Sequence, residues 1–109
     1  MINKNIRFSI CIPNYNYAHY IEETINSVLE QTYSNYEIII ADNHSNDDSL
    51  NRIKNLKNDK IKLIENKYNV GFSHNLDVAT LHATGDYIIL LSSDDLMKPT
   101  ALEVYSKII

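Results

Sequence analysis

Two adjacent carboxylates, Asp94 and Asp95, follow the apolar run Asp86 to Leu91 and the pair Ser92-Ser93. Like charges side by side at the end of a buried strand repel, and desolvation adds to the cost unless a cation or several donors compensate. A hard divalent cation is the simplest compensation. Mg2+ or Mn2+ takes one or two carboxylates and completes its shell with water and substrate phosphates, so the pair points to a metal and diphosphate site. The same residues also suit a cap for a helix near Pro99 or the start of a solvated turn, and the pair alone fits either role.

Other polar residues fall at comparable places. Asp42-Asn43 closes an isoleucine-rich run and can accept hydrogen bonds from a base or ribose, or simply lead through a turn to Ser45. Tyr15 can stack on a nucleobase, although in a chain with eight tyrosines it can equally be a half-buried loop residue. The four histidines, His19, His44, His74 and His82, show no paired metal spacing and read as structural or surface residues. With only Gly71 and Gly85 in the chain, neither a Rossmann glycine fingerprint nor a P-loop can be built. A Gly-x-Ser-x-Gly nucleophile elbow is also missing, which removes the α/β-hydrolase reading.

These residues need a scaffold, and the apolar pattern supplies one. Phe8 to Ile12, stopped by Pro13, reads as a strand buried on both faces. From Tyr20 to Gln31 the apolar stripe Ile21, Ile25, Val28 and Leu29 predicts a helix, with an acidic first turn. Tyr36 to Ala41 is a second strand, too uniformly apolar for a one-sided sheet. Ser45 with Asp48 resembles a capping box for a shorter helix through Leu50, Ile53 and Leu56. Ile61 to Glu65 is the third strand. Ser73 is placed to cap a helix through Leu76, Ala79 and Ala83, Gly85 to terminate it, and Asp86 to Leu91 is the fourth strand. Pro99 opens a last helix through Leu102 and Tyr105. The alternation βαβαβαβα predicts an α/β fold, a parallel sheet with helices on both faces. Ligands in such sheets bind outside the carboxyl ends of the strands, where Pro13 to Asn16, Asp42 to Ser45 and Ser92 to Asp95 all fall.

Composition bounds the function. The 109 residues, 44% hydrophobic and 22% charged, make one globular domain over 1–109. A net charge of -4 argues against nucleic acid as a partner. One cysteine, Cys11, allows no internal disulfide, so a reducing compartment fits. Neither a signal-peptide core nor an apolar run of about 18 residues is present.

Taken in order, Ser9-Ile10-Cys11-Ile12-Pro13-Asn14-Tyr15-Asn16, Ser27 to Tyr33, Glu37 to Asp47, Asn69-Val70-Gly71-Phe72-Ser73-His74-Asn75-Leu76, Ala83 to Ile88 and Leu91 to Asp95 with Pro99 resemble the opening of a family-two glycosyltransferase of the GT-A type. The resemblance covers nearly the whole chain. It implies a Rossmann-like GT-A sheet and a nucleotide-diphosphate sugar as donor, with inversion of the anomeric centre. It further implies a glycan or lipid-linked acceptor, and a role in cell-surface polysaccharide or lipopolysaccharide assembly. By position it assigns Pro13 and Tyr15 to the base and ribose pocket with Asn16 beside them, Asp42 and Asn43 to the nucleoside, and Asp95 to a Mn2+ or Mg2+ ion. Asp94 faces the ribose or the metal's water shell. The implied location is cytoplasmic, at the inner face of the membrane in a full-length protein.

Three positions depart from the family's pattern. Asn43 stands where many relatives carry a second aspartate, Ser93 replaces the first Asp of Asp-x-Asp, and His74 precedes Asn75 where many carry an arginine. Relatives also continue past this length into an acceptor-binding half that carries the general base, so the resemblance places that base beyond Ile109. The chain is therefore expected to be the donor-binding half, truncated before the base, with no catalytic residue of its own to assign. Its sheet edge would be exposed and able to pair copies into a homo-oligomer. Two alternatives stand beside the enzyme: a non-catalytic nucleotide-sugar-binding or regulatory module of the same fold, and a receiver-like phosphoacceptor. The second lacks the fifth strand and its lysine.

Overall fold

A computed structural model describes residues 4–109. Strands and helices alternate as β1 (Phe8–Asn14), α1 (Ala18–Leu29), β2 (Tyr36–Asp42), α2 (Ser49–Asn55), β3 (Ile61–Glu65), α3 (Phe72–Leu81), β4 (Tyr87–Leu90) and α4 (Ala101–Ile108). The strands pair in parallel in the order β3-β2-β1-β4. The chain steps outward from β1 to β3, then returns to the other side of β1. Strand order thus reverses between β1 and β4, where the crevice of such a sheet opens.

Every residue of β1 and β2 is buried. The period of two in a strand explains how both faces are used. Ile10, Ile12, Ile38 and Ile40 meet α1, α2 and α4 through Ile21, Ile25, Val28, Ile53 and Leu102. Cys11, Ile39 and Ala41 face the other way and meet Ala79 of α3. Helices therefore cover both faces, as expected, and each fully buried isoleucine contributes about 1.5–3 kcal/mol. Burial, and secondarily the Glu37 charge, push the Cys11 thiol up to about 11, so it stays protonated and unreactive.

Several local expectations are corrected. β1 does not stop at Pro13 but runs to Asn14, paired with Asp42. The Cys11 carbonyl accepts from Leu91 on the β4 side. Pro13, two residues on, faces that same side past the end of β4, so its missing N–H breaks no ladder bond. α1 starts at Ala18, leaving no acidic residue in its first turn. Ser45 caps no helix: α2 opens after Asp48 without a side-chain cap, and Asp47 Oδ1 accepts from the Ser49 N–H at 2.9 Å. Ser73 lies inside α3, whose N-cap is Gly71 at φ 85°. Gly85 ends no helix; a Cβ there would lie 2.6 Å from Ser9 Oγ and 2.8 Å from the Arg7 carbonyl oxygen. Close approach, not helix termination, demands glycine.

That approach belongs to a polar knot at the amino end of the sheet. Glu37, inside the apolar β2 run, is 1% exposed. Its carboxylate accepts from Ser9 Oγ at 2.6 Å, Thr84 N at 2.6 Å, Thr84 Oγ1 at 2.8 Å and Lys62 Nζ at 2.7 Å. Ser9 Oγ in turn accepts from Gly85 N at 2.8 Å. Burial pushes the Glu37 carboxyl up, but donors from Lys62, Ser9 and Thr84 outweigh it and hold the group at about 2. The knot ties the start of β4 to β1 and β2. β4 itself is an edge strand, with Tyr87, Ile88 and Leu90 between 46% and 57% exposed.

Candidate functional site

A cavity of about 280 Å³ opens at the carboxyl ends of β1 and β4, near the lower end of the size range of small-molecule sites. Pro13, Asn14, Tyr15 and Tyr17 line it from the β1 side, Asn43 from just past β2, Asn69, Phe72 and Asn75 from the approach to α3 and its first turn, and Ser92 and Ser93 from beyond β4. The convergence expected of the strand ends is present. The lining consists of amides, hydroxyls, aromatic rings and one proline, with no charged side chain. Such a wall offers hydrogen-bonding groups and aromatic faces to a ligand, and no carboxylate or imidazole.

Two networks set its shape. The first joins the loops after β1 and β2 around Asp42, which is completely buried. Asp42 Oδ1 accepts from Asn14 Nδ2 at 2.9 Å and Ser45 Oγ at 2.7 Å, and Oδ2 accepts from Ser45 N at 2.9 Å. Asn16 adopts a left-handed φ of 57°, which asparagine tolerates better than most residues. Its N–H donates to Ser45 Oγ at 3.0 Å, and its Oδ1 accepts from Asn46 N at 2.9 Å. Asp47 extends the staple, accepting from Ala18 N at 3.0 Å. Burial raises the Asp47 carboxyl, but donors from Ser49 and Ala18 prevail and hold it below its ordinary value.

The second network is built of asparagines. Asn43 Oδ1 accepts from Val70 N at 2.9 Å and Asn66 Nδ2 at 3.2 Å. Its Nδ2 donates to Asn69 Oδ1 at 3.0 Å and to the Gly71 carbonyl at 3.4 Å. Asn66 also donates to Asn75 Oδ1 at 2.8 Å, and Asn75 Nδ2 donates to the Ala41 carbonyl at 2.9 Å. Loop 66–71 is thereby fastened to the end of β2 without a single charge.

The residues singled out from sequence divide three ways. Pro13, Tyr15 and Asn43 line the cavity. Asn16 and Asp42, expected against the nucleoside, do not: their polar atoms hold the two loops together, and Asp42 has no exposed surface. Asp94 and Asp95 flank the cavity next to Ser93, in an exposed turn closed by the Asp95 N–H donating to the Ser92 carbonyl at 3.0 Å. Thr24 Oγ1 anchors that turn through the Ser93 carbonyl at 2.9 Å. Neither carboxylate has a hydrogen bond or ion pair with the described residues. Among the described residues no group of three or more His, Cys, Asp or Glu side chains could hold a metal ion. A cation at this turn would thus draw its remaining ligands from water and phosphate oxygens, the shell a hard divalent ion accepts. The donor set fits Mg2+ or Mn2+.

The cavity lining includes no carboxylate or imidazole, the commonest general bases. Ile109 is the C-cap of α4, its N–H donating to the Tyr105 carbonyl at 3.1 Å, and it does not line the cavity. Sequence reasoning passed over Tyr17 and gave no role to Asn69, Phe72 and Asn75. A signal for the last three lay in Asn66, Asn69 and Asn75 clustering around Gly71.

A family model described as Glycosyl transferase family 2 matches residues 9–107. The chain is 36% identical over 96 residues to WfgD of Escherichia coli, a UDP-Glc:alpha-D-GlcNAc-diphosphoundecaprenol beta-1,3-glucosyltransferase, covering 88% of this chain and 38% of that protein. It is 36% identical over 108 residues to the hyaluronan synthase of Pasteurella multocida, covering 97% and 11%. Among solved structures, residues 1–349 of S. aureus TarS in complex with UDP match with a TM-score of 0.88 at 26% identity, over 94% of this chain and 31% of that one. The mannosyltransferase PcManGT from Pyrobaculum calidifontis, in complex with GDP-Man and Mn2+, matches with a TM-score of 0.83 at 25% identity, over 97% and 34%. Both are of the GT-A type, and the match lies in the N-terminal part. The chain spans from 11% to 38% of the length of these proteins.

Proposed function

The chain belongs to glycosyl transferase family 2, and from that premise we propose that it forms the donor-binding part of an inverting enzyme that transfers a sugar from a nucleotide-diphosphate sugar. The observation that carries the proposal is the uncharged cavity at the strand-order reversal, lined by Ser92 and Ser93 and followed in the chain by the two exposed carboxylates Asp94 and Asp95. A nucleoside suits the amides and aromatic rings, and a diphosphate reaching toward Asp94 and Asp95 suits a cation held there. The UDP bound by TarS and the GDP-Man and Mn2+ bound by PcManGT support this division.

In this proposal Pro13, Tyr15 and Asn43 form the nucleoside walls, with the Tyr15 ring, 43% exposed, placed to stack. Asp42 and Asn16 act on the nucleotide sugar indirectly by fixing the loops that carry those walls. Asp95, assisted by Asp94, holds Mn2+ or Mg2+, which when bound neutralises charge on the departing diphosphate. The lining carries no carboxylate or imidazole, and in this proposal it supplies no general base. The chain by itself therefore binds donor and transfers poorly or not at all, with the acceptor's general base supplied from beyond Ile109.

The acceptor in this reading is a glycan or a lipid-linked sugar of cell-surface polysaccharide assembly, at the cytoplasmic face of the membrane. WfgD and the hyaluronan synthase are named for such chemistry. No described helix is long and apolar enough to cross a membrane.

The test is a thermal-shift series with UDP, GDP and their sugars, in Mn2+, Mg2+ or chelator, on wild type and Asp95→Ala. Metal-dependent stabilisation of wild type, lost in a variant that melts normally without ligand, is the expected result. Equal stabilisation of both proteins would overturn the metal assignment, and robust sugar transfer by this chain alone would overturn the division of labour.

A further inference from the structure

The chain has two phenylalanines, and their surroundings are opposite. Phe8 is 1% exposed and its ring meets those of Tyr33, Tyr87 and Tyr105. Phe72 is 69% exposed, lines the cavity and meets no other ring among the described residues. Tyr15, on the same cavity, is also exposed and likewise without a ring contact. The two rings come from different elements, Tyr15 from the loop after β1 and Phe72 from the first residue of α3, and the cavity is the space they share.

Phe72 is also held in place. Gly71, immediately before it, sits at φ 85°, and a Cβ there would meet nothing within 4 Å, so backbone conformation and not crowding calls for glycine. The Gly71 N–H donates to Asn69 Oδ1 at 2.8 Å, and its carbonyl accepts from Asn75 N at 3.0 Å and Asn43 Nδ2 at 3.4 Å. From Phe72 onward the chain is helical. The backbone that carries the ring is therefore fixed on both sides, and a staggered side chain has few directions left to it. Asn43 commits both amide hydrogens and both carbonyl lone pairs to loop 66–71, which leaves it nothing for the edge of a base. The loop it fastens leads into a flat apolar face instead.

We propose that Phe72 is a second stacking residue of the donor site: its ring covers one face of the bound base while Tyr15 covers the other. This rests on the donor-site reading above and deepens it. Aromatic side chains stack with little regard to which base they meet, because every base has a π-face. The grip of two rings therefore selects for a flat base and not for the pattern of its edge. Gly71 and the Asn43 network are then the device that presents the ring, which accounts for a phenylalanine left uncovered at the cavity.

The test is calorimetric titration in MnCl2 of wild type, Phe72→Ala, Phe72→Leu and Phe72→Tyr, with UDP, GDP and the base-free ribose 5-diphosphate as ligands. None of these carries a transferable sugar, so any effect concerns the nucleotide itself. Phe72→Ala should weaken every nucleotide that wild type binds about tenfold, the size of one base–aromatic stack. Phe72→Leu, apolar but without a flat face, should restore little of that loss, and Phe72→Tyr should keep wild-type affinity. Ribose 5-diphosphate should bind all four proteins alike. Because the ring is mostly exposed, the variants should melt with the wild type. Unchanged nucleotide affinity in Phe72→Ala, or full affinity in Phe72→Leu, overturns the stacking role and leaves the donor site standing. A loss of the same size for ribose 5-diphosphate overturns it too, since the ring then acts on the ribose or on the loop. Wild type that binds neither nucleotide overturns the donor-site reading and this inference with it.

Discussion

Glu37 makes the sharpest quantitative prediction. A glutamate that is 1% exposed carries a carboxyl held at about 2 against an ordinary 4.5, because Lys62, Ser9 and Thr84 donate to it. That fall is worth about 3 kcal/mol in favour of the folded state when the group is ionised. The folded value is the depressed one, so the contribution is fully present above the unfolded value of 4.5 and is lost as pH falls toward about 2. Glu37→Gln keeps the size of the side chain but turns an acceptor into a donor opposite the Thr84 N–H, which now lies 2.6 Å from Oε2. It also removes the charge that partners Lys62 at 2.7 Å and Arg7 at 3.5 Å. The expected loss is about 2–4 kcal/mol at pH 7. The assay is urea denaturation followed by circular dichroism, on both proteins, from pH 7 down to 2.5. Wild type should lose stability below pH 5, and Glu37→Gln should show a flatter profile from a lower starting point. If the two proteins have equal stability at pH 7, or parallel slopes between pH 5 and 2.5, the physical account of the knot is wrong.

Other predictions follow from the same geometry. Gly85→Ala sets a methyl group 2.6 Å from Ser9 Oγ and 2.9 Å from Ser9 N, and should cost about 1–3 kcal/mol by forcing β4 away from β1, measured by denaturant melts. Asp42→Ala leaves Asn14 and Ser45 without their shared partner; stability should drop by about 1–3 kcal/mol, and nucleotide affinity with it, although Asp42 does not line the cavity. Tyr15→Ala should weaken nucleotide binding about tenfold, as loss of one base-stacking contact does, while leaving the melting temperature nearly unchanged because the ring is 43% exposed.

How much of this was legible in the sequence depended on the kind of signal. The fully buried β1 and β2 were readable because uniformly apolar runs occur where both faces of a sheet are covered, and Ile21, Ile25 and Val28 marked the core face of α1 at helical spacing. Chain punctuation was read less well. Pro13 looked like a stop, yet a proline at a strand's end is harmless where the neighbouring strand has already finished. Ser45 and Ser73 looked like caps from local spacing, but Ser45 is claimed by Asp42 three residues earlier and by Asn14 at the end of β1 and Asn16 just after it, the latter a tertiary demand that no local pattern encodes. Gly85 was placed at a helix end, whereas its need comes from Ser9 and Arg7 some 76 residues or more earlier in the chain.

The site followed the same division. Its location was legible because ligand crevices in parallel sheets lie at strand ends, so Pro13, Tyr15, Asn43, Asp94 and Asp95 were all placed at or beside the cavity. The division of labour within it was not. Asp42 and Asn43 are adjacent and similar in type, yet one is a buried staple and the other a cavity wall, because successive residues at a strand end point to opposite sides. The asparagines of loop 66–71 escaped notice for a related reason: an amide that donates and accepts at once serves a network visible only when its partners are assembled.

The central claim, that the cavity beside β1 and β4 receives the nucleotide of a sugar donor, is tested most directly by heteronuclear NMR. Uniformly 15N-labelled protein is titrated with UDP and with GDP, with Mg2+ and with chelator, and backbone and side-chain amide shifts are followed. The account predicts saturable shifts centred on Asn14, Tyr15, Asn43, Asn69 and Ser93 for at least one nucleotide, with Asp94 and Asp95 joining them only when Mg2+ is present. Saturable shifts centred elsewhere on the protein, or none with either nucleotide, would contradict it.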